Sequence, residues 1–404
     1  MLLELILALL LGVTAGTITG LFPGIHINLV ATGLLALVAG GVLAGVESLV
    51  LVIFIVAMAV THTFIDFIPS IFLGAPEEDS FLAVLPGHEL LREGRGYEAV
   101  ILTLYGSLIA LPIILVFSFL FVNFLEGVFD FSRELIPYVL TFASLYLIFR
   151  EEDWVNAMVV FFLAGMLGLL SFNVQVKEPL LPLLSGLFGV SALVVSLKAE
   201  IVIPKQEIKK LREIKVEGKV FWKSIFAVFA TAPLSSFLPG LGAGHAAVLG
   251  SEIVGDIGKD KRGFLFMLGA INTIVMALSF VTIYAIGRTR SGAAVAVSEL
   301  LAKFGLGELV TVLFVVVISG IIAFFIGVFL AKVFALRVSK VSYRKLGLAV
   351  LGILFIINLL LSNFLGLVVL VTASALGVFC ILSGVRRINL MGVLLVPTVL
   401  FYLL

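Results

Sequence analysis

The stretch from 101 to 125, ILTLYGSLIALPIILVFSFLFVNFL, runs for 25 residues without a charge. A helix of that length rises about 37 Å, more than the ~30 Å hydrocarbon core of a bilayer. Runs of this kind recur along the chain, and they restrict its architecture severely. Inside lipid every backbone N–H and C=O must be satisfied internally, so only helices and closed barrels span. A barrel would be written as short alternating segments, which are absent here. The charged share agrees with helices in lipid: 13%, against about 25% in a soluble domain. The expected fold is therefore an all-α polytopic protein, multi-pass in the cell membrane. The opening MLLELILALLLG has no basic leader and no small-residue cleavage site, so it reads as a first membrane helix. A net charge of +1 offers nothing to nucleic acid. The single Cys380 excludes an internal disulfide and a Cys-based metal cluster.

The one strongly polar stretch, 198–223, carries eight Lys/Arg against four Glu and lies at mid-chain. It divides the chain into residues 1–200, a basic linker at 201–219, and residues 220–404. The halves align on each other: LFPGIHINLVA on FLPGLGAGHAA with Pro23 over Pro239, IFLGAPEEDSFLAV on YAIGRTRSGAAVAV with Gly74 over Gly287, and FFLAGMLGLLSF on TASALGVFCILS with Ala164 over Ala375. The offsets of 216, 213 and 211 need only small gaps, which points to an internal duplication. Hydropathy predicts, in the first half, a Pro-Gly-broken hairpin at 2–45, a helix at 47–65, a broken segment to 91, and helices at 98–126, 135–149, 154–173 and 179–198. In the second half it predicts a hairpin at 220–256, a helix at 264–286, a broken segment at 287–304, and helices at 306–336, 343–361, 363–384 and 388–404. With the linker in the cytoplasm, 21 of the 26 Lys and Arg fall on that side, as the positive-inside rule requires. Each half then makes an odd number of net crossings. The two copies are expected to be inverted, with both termini outside. Inverted repeats with broken helices are the pattern of many secondary transporters.

The breaks carry the chemistry. A Pro-Gly interruption frees backbone groups at membrane depth, where they survive only against protein or a wet cavity. A helix that starts after a break aims its positive end at that cavity. Pro23, Gly24, His26 and Asn28 in the first half, and Pro239, Gly240, Gly242, Gly244 and His245 in the second, are the expected site for an anion. The plain alternative is a pair of kinks, with glycines for tight packing. The second matched pair has opposite charge: GAPEEDS (74–80) against GRTRSG (287–292). Arg288, Thr289, Arg290 and Ser291 are expected to bind the anion, with Glu77, Glu78, Asp79 and Ser80 as gating or coupling partners. The alternative is two interfacial loops with snorkelling side chains. His62, Asp66, Asn272 and Thr273 are further coupling or gating candidates, because polar groups inside a bilayer are costly. Asp66 otherwise caps a helix near Pro69, and Asn272 and Thr273 otherwise glue helices together. Arg386–Arg387 and the basic residues of 340–345 read as topology anchors. No H-E-x-x-H, G-x-S-x-G or P-loop occurs, so no catalytic or metal-ligating set is expected.

On these motifs the chain resembles the TctA family, the large membrane subunit of tripartite tricarboxylate transporters. GLFPGIHINLVA matches the family's N-terminal Pro-Gly element, FLPGLGAGHAAVLG its second, and LPGHELLREGRGYEAV loosely its glycine-rich run. The chain departs from the family at PEEDS and RTRSG, where small residues and a further Pro-Gly are usual. The resemblance implies a secondary transporter for an organic anion, accompanied by a small membrane subunit and an extracytoplasmic binding protein. No cofactor is expected beyond Na+ or H+ as coupling ion. A small anionic solute or a lipid phosphate, membrane lipids and a second copy in a homodimer are the expected partners. PGLGAG also resembles an element of undecaprenyl-phosphate translocases, so a polyprenyl-phosphate translocase is the alternative. An intramembrane hydrolase is the third reading.

Overall fold

The structure is a computed structural model that describes residues 2–22, 27–43, 45–74, 80–198, 203–238, 242–255, 260–301, 303–340 and 343–403. Among these residues there is no strand. Among the described residues eight helical spans are long and apolar enough to cross a membrane. The first half contains α1 (Leu2–Leu21), α2 (Ile27–Ala39), α3 (Ser48–Ile65), α4 (Phe67–Leu73), α5 (Val84–Arg92), α6 (Gly96–Ser132), α7 (Ile136–Phe149) and α8 (Trp154–Asn173). It closes with α9 (Leu180–Leu184) and α10 (Ser191–Lys198), joined by a π-helical turn at Ser185–Val190. The second half contains α11 (Gly218–Phe237), α12 (Ala243–Val254), α13 (Lys261–Ile286), α14 (Gly292–Leu300), α15 (Leu306–Val338), α16 (Tyr343–Leu382) and α17 (Gly392–Leu403).

Helix ends recur at the offsets on which the halves align. Adding 216 to the bounds of α1 gives those of α11, and adding 213 to Ser48 and Leu73 gives Lys261 and Ile286. Each of these long units ends on a glycine in the left-handed region, Gly74 (φ 67°) and Gly287 (φ 62°), where a Cβ would be strained. Two expected helices merge into α16, broken only at Asn363 (φ 66°). Asn363 Oδ1 accepts from Gly366 N–H at 3.2 Å and so restarts the helix.

Two helices form the centre. The α13 span is 94% buried and the α3–α4 span 78%, while α1, α6, α11 and α15 expose wide apolar faces. A helix that is apolar all round belongs where protein surrounds it. The α13 helix packs on α11 and on α6, and α3 packs on α1 and on α15. The centre of each half is therefore clasped by the long helix of the other half. Close approach at α6–α13 depends on Gly106 and Gly269, whose added Cβ atoms would overlap the Phe266 and Thr103 carbonyl oxygens.

The basic linker is not a helix. Residues 203–217 are irregular apart from one 3₁₀ turn at Leu211–Glu213. They are strapped to the helix ends. Gln206 Oε1 accepts from Gly96 N–H (2.7 Å), Gln206 Nε2 donates to the Leu91 carbonyl (3.0 Å), and the Tyr105 hydroxyl donates to the Leu211 carbonyl (2.7 Å).

Candidate functional site

Near one end of the bundle lies a cavity of about 830 Å³. Five of the sequence-selected residues line it: Asn28, Gly242, Arg288, Thr289 and Arg290. They come from three separate places in the chain, and each stands at the start of a helix. Asn28 is in the first turn of α2, Gly242 is the N-cap position of α12, and Arg288–Arg290 lead into α14. Three helix N-termini with partial positive charge therefore meet two arginines, an arrangement suited to an anion. Among the described lining residues Glu134 is the one carboxylate.

The geometry locks these elements together. The Ala293 N–H donates to Asn28 Oδ1 at 3.2 Å, tying the start of α14 to α2 across 265 residues. A Cβ on Gly292 would press on the Asn28 side chain at 2.8 Å, so only glycine admits this approach without a shift. Ser291 caps α14 by accepting from Ala294 N–H (3.1 Å) and pairs with the Ser279 hydroxyl (3.2 Å), so it shapes the turn and does not line the cavity. The Arg288 guanidinium lies 5.8 Å from the Phe129 ring centroid, a cation–π distance, and Arg288 is exposed to the cavity. Thr282 Oγ1 donates to the Arg288 carbonyl at 3.0 Å and holds the turn.

His245 and Gly244 sit in the first turn of α12 but not on the cavity wall. His245 is 1% exposed, and its Nδ1 accepts from Gly242 N–H at 3.2 Å. That bond assigns the proton of the neutral ring to Nε2, which is buried without a partner among the described residues. Pro23, Gly24, His26, Glu77, Glu78, Asp79, Pro239 and Gly240 lie outside the described residues.

Away from the cavity, Asp66, Asn272 and Thr273 take part in buried polar contacts between the α3–α4 unit and α13, while His62 pairs toward α1 and Ser80 pairs with α4. Asn272 Nδ2 donates to Asp66 Oδ2 at 3.2 Å, and both residues are 2% exposed. Three residues earlier on α3, on the same helical face, the Thr63 hydroxyl meets that of Thr273 at 3.2 Å. His62 Nδ1 pairs with the Thr19 hydroxyl at 3.0 Å, and Ser80 pairs with Ser70 at 2.8 Å. Asp66 joins α3 to α4, yet its side chain makes no capping bond to the backbone. It accepts instead from a side chain 206 residues away.

Several residues of the candidate site carry no sequence signal. The cavity walls include Phe172, Phe237, Thr398, Phe401 and Tyr402, which read in sequence only as ends of apolar runs. Arg386, read as a topology anchor, also holds Glu151, and Arg150 holds Glu252 across the chain.

Comparison with known proteins places these features in one family. The model of the "Tripartite tricarboxylate transporter TctA family" matches residues 6–392. An uncharacterized protein of Methanocaldococcus jannaschii is 31% identical over 422 residues, covering 98% of this chain and 99% of that one. No solved structure matches.

Proposed function

This chain belongs to the tripartite tricarboxylate transporter TctA family, and on that premise we propose that it carries an organic carboxylate through the cavity at Arg288 and Arg290. The family is a transporter family and not an enzyme class, and its members work with other tripartite transporter subunits. The observation that carries the reading is the convergence of Asn28, Gly242 and the 288–290 turn on one cavity. Arginine suits a carboxylate because its planar fork bonds both oxygens. The starts of α2, α12 and α14 stand around it. The recurrence of helix bounds and the reciprocal packing of α3 and α13 support an inverted duplication about this site. Uptake is coupled to Na+ or H+, with the Asp66–Asn272 pair as its seat, since a carboxylate this deep in a membrane protein has a function by default.

A polyprenyl-phosphate head group is the second reading. The aromatic walls, with Phe401 81% exposed, favour it. Binding of carboxylates, inorganic phosphate and polyprenyl phosphates to purified protein separates the two. A carboxylate should bind and lose affinity in Arg290→Gln. Binding of polyprenyl phosphate alone would replace the first reading with the second. No binding by either class would remove both.

A further inference from the structure

Four segments run from the cavity to a common point at the opposite end of the bundle. The α7 helix starts at the cavity with Pro137 and ends at Arg150; α8 starts beside Glu151 and ends at the cavity with Phe172. The α12 helix starts at Gly242 and reaches Glu252, and the chain from Arg386 through α17 reaches Thr398. At about 1.5 Å per residue, the ten residues from Gly242 to Glu252 span roughly 15 Å.

At that far point the segments are tied by charge. Arg150 holds Glu252 Oε2 at 2.7 Å, Arg386 holds Glu151 Oε1 at 2.6 Å, and Arg386 also reaches Glu252 Oε1 at 3.4 Å. Asn389 Nδ2 donates to the same Glu151 oxygen at 2.9 Å. The carboxylates are largely withdrawn from solvent (8% and 17% exposed) while the arginines face it (41% and 56%). One end of this bundle is thus an open cavity and the other is shut by ion pairs between the same segments. The Lys/Arg asymmetry assigns the shut end to the cytoplasm.

We propose that Arg150, Glu151, Glu252 and Arg386 form a clasp that closes the cytoplasmic exit while the cavity is open to the other side, and that α12 links the two. The proposal rests on the transport reading above. Ion pairs at an aqueous surface are individually weak, so the clasp is breakable on each cycle. Anion capture at the start of α12 pulls on the helix whose far turn carries Glu252.

The test uses the full chain in vesicles, with a Thr398→Cys label in the cavity and an impermeant maleimide. The native Cys380 is buried. The parent should label from the outer face only. Arg150→Ala with Arg386→Ala should raise labelling from the linker face about five-fold for each ion pair removed. The exchange Arg150→Glu with Glu252→Arg restores the 150–252 pair but opposes Arg386, so it should return labelling only part of the way, and further when Arg386→Gln is added. Arg386→Gln serves if the alanine pair does not fold. Clasp variants that stay monodisperse and label from the linker face at the parent rate would overturn the proposal. So would a parent that labels equally from both faces. Labelling needs no substrate. A shifted pattern without any anion binding would therefore sink the transport reading alone, and anion binding with an unshifted pattern would sink the clasp alone.

Discussion

Glu98 is the residue on which the linker strap depends. It is 2% exposed at the start of α6, yet three cations converge on it: Arg95 at 2.8 Å, Arg262 at 3.0 Å and Lys209 at 3.2 Å. Lys209 belongs to the linker and Arg262 to α13, so one carboxylate joins the strap to both halves. Removing one member of a buried pair costs about 3–5 kcal/mol when the survivor is left buried. Here the survivors are 30–36% exposed and can turn to water, so Glu98→Ala should cost less, about 1–2 kcal/mol. Glu98→Gln keeps an acceptor oxygen and should cost roughly half of that. The loss should be local before it is global, because the strap is irregular chain apart from one 3₁₀ turn and is held by a few side-chain hydrogen bonds and ion pairs, with Ile203 and Ile214 as its buried apolar anchors. Limited trypsinolysis is the direct assay: cleavage after Lys205, Lys209, Lys210, Arg212 or Lys215 should accelerate in Glu98→Ala at temperatures where the helices remain intact. The melting midpoint in detergent should fall by only about 1–2 °C, because the transition entropy of so long a chain is large. Pairing Glu98→Ala with Lys209→Ala should cost less than the sum of the two single losses. Unchanged cleavage in Glu98→Ala, or strictly additive losses, would refute the reasoning.

Gly269→Val should destabilise by about 1–3 kcal/mol, because its side chain enters the Thr103 carbonyl, while Gly352→Ala, with open space at its Cβ, should stay within about 0.5 kcal/mol; thermal melts compare them. Arg288→Gln and Arg290→Gln should each weaken anion binding about ten-fold or more in titration calorimetry, the loss of one charge-assisted contact. Asp66→Asn should retain anion binding but lose the dependence of uptake on an ion gradient; full gradient dependence in that variant would move the coupling site away from the Asp66–Asn272 pair. The acidic run at 77–79 should supply a partner within about 4 Å of Arg288 or Arg290 in one state. Removing that arginine alone should then harm transport more than removing it with its partner, which a double-mutant cycle measures.

The class of this protein and most of its helices are legible in the sequence because hydropathy is local. A run of apolar residues has to become a helix in lipid wherever it packs. Residues 154–173 and 135–149 accordingly match α8 and α7 within a residue. Gly287 falls where the sequence ends a helix and is a left-handed cap in the structure, whereas before its match Gly74 the helix expected to end at 65 is followed by α4, which runs to Leu73. The arginine pair and Asn28, which share one cavity wall, stand out in the sequence for the same reason: a polar residue in an apolar run is conspicuous. What they surround was not readable. Asp66 and Asn272 each had a bland local explanation, as a cap and as helix glue, and only the crossing of α3 and α13 joins them. Nothing in the sequence shows that Arg150, Glu252 and Arg386 pair; they meet because the ends of α7 and α12 and the chain after α16 come together. Cavity walls such as Phe172 and Thr398 carry no mark at all, because a membrane helix is apolar on the side that faces lipid and on the side that faces protein. Which side is which depends on the neighbours, and the neighbours are set by tertiary packing.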